Sequence, residues 1–176
     1  MNQGNLFLTR LSTFLKSMKL LLDHFADYDR WSNTRFVERL AHESDAVLDR
    51  TVPSSFPSLR ATVLHIRDAE AIWLARLNGT SGQWPAEQSD SIETLIPHTE
   101  RLVHWVHATE EADLNARVSY HDLRGIPHTQ ERWQMLLHCF NHSTQHRGQL
   151  ITMMRALELD RIPANDLVAY QRSVIS

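Results

Sequence analysis

Apolar residues recur every three or four positions along most of the chain, with polar residues between them. In the first stretch, for example, Leu22, Phe36 and Leu40 fall on one helical face. This spacing is typical of amphipathic helices that pack against a core. The chain also has few helix breakers, with 5 Gly and 6 Pro among 176 residues. The pattern predicts four long helices, over about residues 6–42, 59–78, 91–113 and 129–159.

The helical pattern stops between the third and fourth helices. Apolar and polar side chains alternate in "RVSYHDL", residues 117–123, and Gly125-Ile126-Pro127 supplies a turn. Alternation of this kind favours extended strands. We therefore expect a short β-hairpin before the last long helix, and "PANDLVAYQR", residues 163–172, suggests a final short helix. The predicted fold is all-α, a four-helix bundle with one hairpin.

The length fits one domain, and the sequence contains no internal repeat or low-complexity tract. We expect an N-terminal extension over residues 1–17 and a single bundle domain over residues 18–176. No stretch has the length and apolar character of a membrane span, and no signal peptide is evident, so we expect a cytoplasmic protein without a membrane role.

The charge pattern excludes a strong nucleic-acid binder. Lys and Arg number 18 against 21 Asp and Glu, for a net charge of -3, and no basic tract occurs. Cys139 is the single cysteine, which excludes an internal disulfide and a multi-cysteine zinc site. The unusual number is 11 histidines, and the candidate chemistry lies with them.

Three histidines are spaced four residues apart in "HCFNHSTQHRGQ", residues 138–149. His142 and His146 fall on an apolar stripe of the fourth helix, where a bundle helix places core residues. Two imidazoles four residues apart lie about 6 Å apart along a helix with a twist of about 40°, so they can converge on one metal ion. His138 is rotated about 80° from His146 and is a neighbour rather than a third ligand. His65, at the edge of the apolar face of the second helix, is the best third candidate.

Other interpretations of these residues remain open. The histidines can be structural, and His65 alone is more often a hydrogen-bonded core residue. A zincin protease is excluded because Ser143 stands where that motif needs a glutamate base, and phosphate-binding loops and a nucleophile elbow are absent. Asp68, Glu70 and His138 are candidate general bases, and none is favoured over the others. Arg147 either contacts an anionic substrate or caps a helix end, whereas Cys139 fits a small core residue.

Several segments together resemble the DinB family, also called DinB/YfiT-like. "LLHCFNHSTQHRGQL" is similar to the last bundle helix of that family, "YDRWSNTRFVERL" to the first and "LRATVLHIRDAEAIWLARLNG" to the second. "RVSYHDLRGIPHTQERW" resembles its hairpin and "LELDRIPANDLVAY" its ending. The resemblance covers about residues 18–171, and Gln145 departs from it, because many relatives carry a histidine there.

The resemblance implies a four-helix bundle in up-down-down-up order and a divalent metal ion held by His65, His142 and His146. Zinc or nickel is the expected ion, with iron or manganese as alternatives. The wider superfamily includes metal-dependent transferases that use thiols such as bacillithiol or mycothiol. The implied function is therefore a transferase that uses a low-molecular-weight thiol, or a hydrolase that uses water activated by the metal. The alternative is a metal- or ligand-binding module in a stress response without turnover. A small-molecule substrate and a homodimer are the implied partners.

Overall fold

The chain folds into six helices and one hairpin over the part that the computed structural model describes, which is the backbone of residues 3–175 and the side chains of residues 18–175. Short 3₁₀ turns at Ile92–Thr94 and Glu111–Asn115 flank the helix Leu95–Ala108. The helices are α1 (Gln3–Leu40), α2 (Asp45–Leu48), α3 (Leu59–Leu77), α4 (Leu95–Ala108), α5 (Arg132–Ala156) and α6 (Leu167–Ile175), and the strands are β1 (Arg117–His121) and β2 (Pro127–Glu131).

The long helices α1, α3, α4 and α5 form a four-helix bundle. Helices α1 and α3 each pack against α4 and α5, so α1 lies diagonally across from α3. One apolar cluster joins the middle of α1 and the N-terminal half of α5 to the C-terminal halves of α3 and α4, and a second cluster joins the C-terminal ends of α1 and α5 to the N-terminal parts of α3 and α4. The helices therefore run up, down, down and up in chain order, as predicted. The first cluster includes Leu22, Leu77, Val106 and Leu136, and the second includes Leu40, Leu59, Leu95 and Met154.

Local signals in the sequence explain where the helices begin and end. The Ser58 hydroxyl accepts a hydrogen bond from the Ala61 amide and caps α3, as its position predicted. After α3 the backbone turns at Gly79, whose φ of 75° favours glycine. At the start of α5, Glu131 and Gln134 form a reciprocal capping box.

Two predicted helices are too long. Helix α4 ends at Ala108 because Thr109 adopts an extended conformation, with φ of −78° and ψ of 128°. Helix α5 begins only at Arg132, since the five residues before it form β2 and pair antiparallel with β1 in the register Arg117 to Glu131. The predicted hairpin and the final short helix are confirmed.

Helix α1 continues without a break through residues 17 and 18, where the bundle domain is predicted to begin. The side chains of residues 1–17 lie outside the described residues, so that boundary stays a prediction. Among the described residues, the helices all fall short of the length and apolar character needed to cross a bilayer.

A layer of buried polar side chains separates the two apolar clusters. Glu70 of α3 is fully buried and accepts hydrogen bonds from Asn33 Nδ2 and Thr99 Oγ1, each at 2.7 Å. Arg147 of α5 is also fully buried, and its guanidinium donates to Asp29 at 2.5 Å and to Asn33 Oδ1 at 2.8 Å. Because buried polar groups are costly without partners, these bonds tie the four helices together at one level.

The surroundings of Glu70 in this layer favour its protonated form. Burial raises the pKa of its carboxyl well above the usual value, and the neighbouring Asp29 carboxylate raises it further. Asp29 Oδ2 is buried and has no hydrogen-bond partner among the described residues. A neutral Glu70 places no second negative charge beside the ion pair of Asp29 and Arg147.

The Glu70→Gln variant tests this protonation state. When a group has a higher pKa in the folded than in the unfolded state, the folded protein loses stability as pH rises from the unfolded pKa towards the folded pKa. In this range only the unfolded state releases the proton. Glutamine has no such proton to lose, and Asp29 and Arg147 are the charged groups that face it. Chemical denaturation should therefore show the variant gaining stability relative to the original chain as pH rises above the usual carboxyl pKa, by up to about 1.4 kcal/mol per pH unit while Glu70 keeps its proton in the fold.

Glu38→Gln, on the exposed side of α1, controls for the loss of one carboxylate. A stability difference between the Glu70→Gln variant and the original chain that stays constant across this pH range would show that Glu70 is ionised in the fold.

Candidate metal centre

Three histidine rings from two adjacent helices meet at one point of the bundle. His65 lies on α3, and His142 and His146 lie one turn apart on α5, which packs against α3. The Nε2 atom of His142 is 3.1 Å from Nε2 of His65 and 3.1 Å from Nε2 of His146. One ligand atom from each ring lies within 4.8 Å of the others, and no cysteine or carboxylate of the described residues joins the group.

These distances fit a metal site. Two nitrogens bound at about 2.0–2.1 Å to a tetrahedral ion lie about 3.3 Å apart, close to the separations found here. A hydrogen bond between two neutral rings explains one such contact, but His142 Nε2 makes two. Imidazole nitrogens that point at one another from three sides have the donor set that zinc, nickel, copper and iron accept.

Burial keeps two of the rings neutral. It lowers the pKa of His142 to about 3, with further lowering by His146, His65 and His138. Burial also lowers the pKa of His65 to about 4, as does His146, while Asp68 opposes the shift. Neutral imidazole is the form that binds metal ions, so both rings are ready to donate a lone pair at neutral pH.

The rings differ in how they are oriented. Nδ1 of His146 lies 2.8 Å from Gln149 Oε1, which can only accept, so this nitrogen carries the proton and Nε2 carries the lone pair. Such a second partner is a common feature of histidines that bind metals. Nδ1 of His142 is buried without a hydrogen-bond partner among the described residues, so packing alone orients that ring.

Two aromatic side chains from loops cover the histidines. The Phe56 ring stacks on His65 with ring centres 4.1 Å apart and meets the edge of His146 at 5.4 Å. Trp84 contacts His65 at 5.5 Å in a T-shaped arrangement. Both aromatic rings reduce contact between the histidines and water, which strengthens electrostatic interactions at the site.

The three candidate general bases have different surroundings. Asp68 accepts hydrogen bonds from Arg67 Nε at 2.9 Å and from the Ala86 amide at 3.0 Å, so it holds the loop after α3 in place. Glu70 lies in the central polar layer. His138 is exposed, and its ring centre lies 5.8 Å from that of His142. Only His138 combines solvent contact with proximity to the histidine cluster.

Arg147 and Cys139 point away from the site. Neither interpretation of Arg147 was right, because its guanidinium pairs with Asp29 inside the bundle rather than contacting a ligand or a helix end. Cys139 belongs to the apolar core, as expected, and burial raises the pKa of its thiol well above the usual value.

The sequence pattern predicted the three histidines but not Gln149, Phe56 and Trp84. Gln149 is three residues after His146 and therefore lies on the same side of α5, which was a usable signal. Phe56 and Trp84 lie in loops, where no periodicity indicates the direction of a side chain.

Comparisons with known proteins agree with this fold. Protein DinB of Bacillus subtilis (strain 168) is 22% identical over 142 residues, which cover 73% of this chain and 81% of that protein. The crystal structure of a DinB-like protein from Bacillus subtilis has a TM-score of 0.63 at 17% identity, covering 84% of this chain and 97% of that one. A DinB-like protein from Bacillus cereus ATCC 10987 has a TM-score of 0.58 at 20% identity, covering 78% and 91%.

At these identities the two crystal structures support the fold alone. The sequence model of the DinB family matches residues 12–172, which is most of the chain. This chain therefore belongs to the DinB family.

Proposed function

We propose that His65, His142 and His146 bind one divalent transition-metal ion and that the protein is a metal-dependent enzyme. The convergence of three imidazole Nε2 atoms from α3 and α5 is the observation that carries this proposal. Zinc and nickel suit the three neutral nitrogen donors best, and iron and manganese follow. Membership in the DinB family agrees with such a site.

The number of ligands favours catalysis over a structural role. Structural zinc sites usually have four protein ligands, whereas catalytic sites have three. The described residues provide three, and Cys139 is not a fourth. A bound ion of this kind lowers the pKa of water or of a thiol that it coordinates, which supplies a nucleophile near neutral pH.

The proposed reaction is transfer of a low-molecular-weight thiol to a small electrophile, with hydrolysis as the nearest variant. His138 is the residue that we assign to proton transfer, since Asp68 and Glu70 are held by other bonds. Burial and Arg76 lower the pKa of His138, so its ring is a neutral proton acceptor at physiological pH. Phe56 and Trp84 limit access of bulk water to the histidines.

Replacement of each histidine by alanine tests the metal site. Bound metal after purification should fall at least about tenfold in His65→Ala, His142→Ala and His146→Ala, because two imidazoles bind an ion far more weakly than three. Elemental analysis per mole of protein measures it. His138→Ala, on the same helix, is the matched control and should keep its metal. Stoichiometric metal in the His142 or His146 variant would remove the basis of the proposal.

Turnover separates an enzyme from a binding module. The metal-loaded protein should conjugate at least one member of a panel of thiols and small electrophiles, and chelation should abolish the activity. His138→Gln should lower turnover about 100-fold without loss of metal, as expected for a general base. Cys139→Ser should keep both metal and activity. Tight metal binding with no turnover across thiol and hydrolysis panels would favour the binding module.

We also propose that the protein acts as a cytoplasmic homodimer on a small molecule, without a nucleic-acid or membrane partner. The net charge of -3 supports the absence of a nucleic-acid partner, and membership in the DinB family motivates the homodimer. Light scattering at micromolar concentration should give twice the 20.4 kDa mass of one chain. A monomer under these conditions would contradict the dimer, and tight, salt-sensitive DNA binding would contradict the choice of partner.

A further inference from the structure

Gln149 lies between one of the three histidines and a loop that covers them. Its Oε1 atom is 2.8 Å from Nδ1 of His146, and its Nε2 atom donates to Ser55 Oγ at 2.8 Å. Ser55 belongs to residues 49–58, the segment between α2 and α3, which is called the Phe56 loop below. One side chain therefore joins a candidate ligand to this loop.

The amide group suits both contacts. Its oxygen accepts the Nδ1 proton of His146, which leaves the lone pair of that ring on Nε2, facing His142. Its nitrogen then has to donate elsewhere, and Ser55 Oγ takes that hydrogen bond. A side chain without a carbonyl oxygen at position 149 loses the first contact, and one without a hydrogen-bonding group loses both.

The Phe56 loop is anchored near its start, where Val52 is buried in the second apolar cluster and Asp49 accepts a hydrogen bond from Arg60 Nε at 2.7 Å. The Val52 amide donates to the Pro57 carbonyl at 2.9 Å and closes the loop on itself. Beyond this bond, Ser55 contacts Gln149, and the next residue places its ring on His65 at 4.1 Å and against His146 at 5.4 Å. Between these anchors the Ser55 bond and the ring contacts of Phe56 hold the loop, so loss of the Ser55 contact loosens the part of the loop that carries Phe56.

We propose that Gln149 is a positioning residue with two tasks: it orients His146 for metal binding, and through Ser55 it keeps Phe56 over the histidine cluster. The proposal rests on the proposed metal site and goes beyond it, since it links the orientation of a ligand to closure of the loop. A change at Gln149 should affect both metal affinity and the loop, whereas a change at Ser55 should affect the loop alone.

Metal affinity tests the first task. Zinc titration against a chromophoric chelator should show a loss of about 10–100-fold in Gln149→Met, the range for removal of a partner of a metal-binding histidine. Gln149→Glu should restore affinity to within about threefold, because a carboxylate also accepts the Nδ1 proton. Gln145→Met is the matched control, since Gln145 is an exposed glutamine one turn earlier on α5, and it should change affinity by less than twofold.

The position of Phe56 tests the second task. Fluorinated phenylalanine labels all 6 Phe residues, and the Phe56→Leu variant identifies the Phe56 signal by ¹⁹F NMR. In the zinc-loaded protein this signal should be displaced from the free amino acid by the ring current of His65. In Gln149→Met and Ser55→Ala it should move most of the way towards the free value, while the neighbouring Ser54→Ala leaves it in place.

The outcomes separate this proposal from the proposed function. If the original chain binds zinc but Gln149→Met keeps its affinity, or the Phe56 signal is the same in Ser55→Ala and Ser54→Ala, the positioning role is wrong and the metal site stands. If the original chain binds no divalent metal, both proposals fail. Loss of affinity in Gln149→Met with rescue by Gln149→Glu, together with a Phe56 signal that depends on Ser55, supports the positioning role.

Discussion

A fully buried guanidinium must have a carboxylate partner, and this requirement fixes how α5 sits in the bundle. Arg147 is fully buried, and its guanidinium donates hydrogen bonds to Asp29 and Asn33 of α1. Removal of one partner of such a pair costs about 3–5 kcal/mol, because the remaining charge is left unpaired in the core. Sliding or rotation of α5 would break these bonds, so its position along α1 is defined at this level.

The candidate metal centre depends on the same helix position. Ser143 and Arg147 of α5 face the central polar layer, and His142 and His146 precede them by one residue each. A rotation of about 100° per residue turns the two histidines away from the layer and towards α3, where His65 meets them. The polar layer thus sets the direction of the histidines, although it makes no direct contact with the point where they converge. The position of α5 in the bundle therefore determines both the contacts of the polar layer and the positions of the two histidines.

The periodic parts of this architecture were predictable from the sequence. The four helices, the hairpin and the pairing of His142 with His146 follow from patterns within about ten residues, which backbone geometry converts directly into structure. The partner of Arg147 was not predictable, because Asp29 lies 118 residues away and no local pattern connects the two. The start of α5 was also misplaced, since hairpin pairing overrode helix propensity at residues 129–131, and the end of α4 was misplaced because Thr109 is extended. Phe56 and Trp84 reach the histidines from loops, whose course depends on tertiary contacts.

The central claim is that three imidazoles from two helices share one ion. X-ray absorption spectroscopy of the zinc-loaded protein, together with anomalous diffraction from its crystals at the zinc edge, tests it most directly. We expect one ion per chain, with Nε2 of His65, His142 and His146 at about 2.0–2.1 Å and only non-protein ligands in the remaining shell. An ion bound elsewhere, a shell that lacks one of the three histidines, or a shell closed by Cys139 would contradict it.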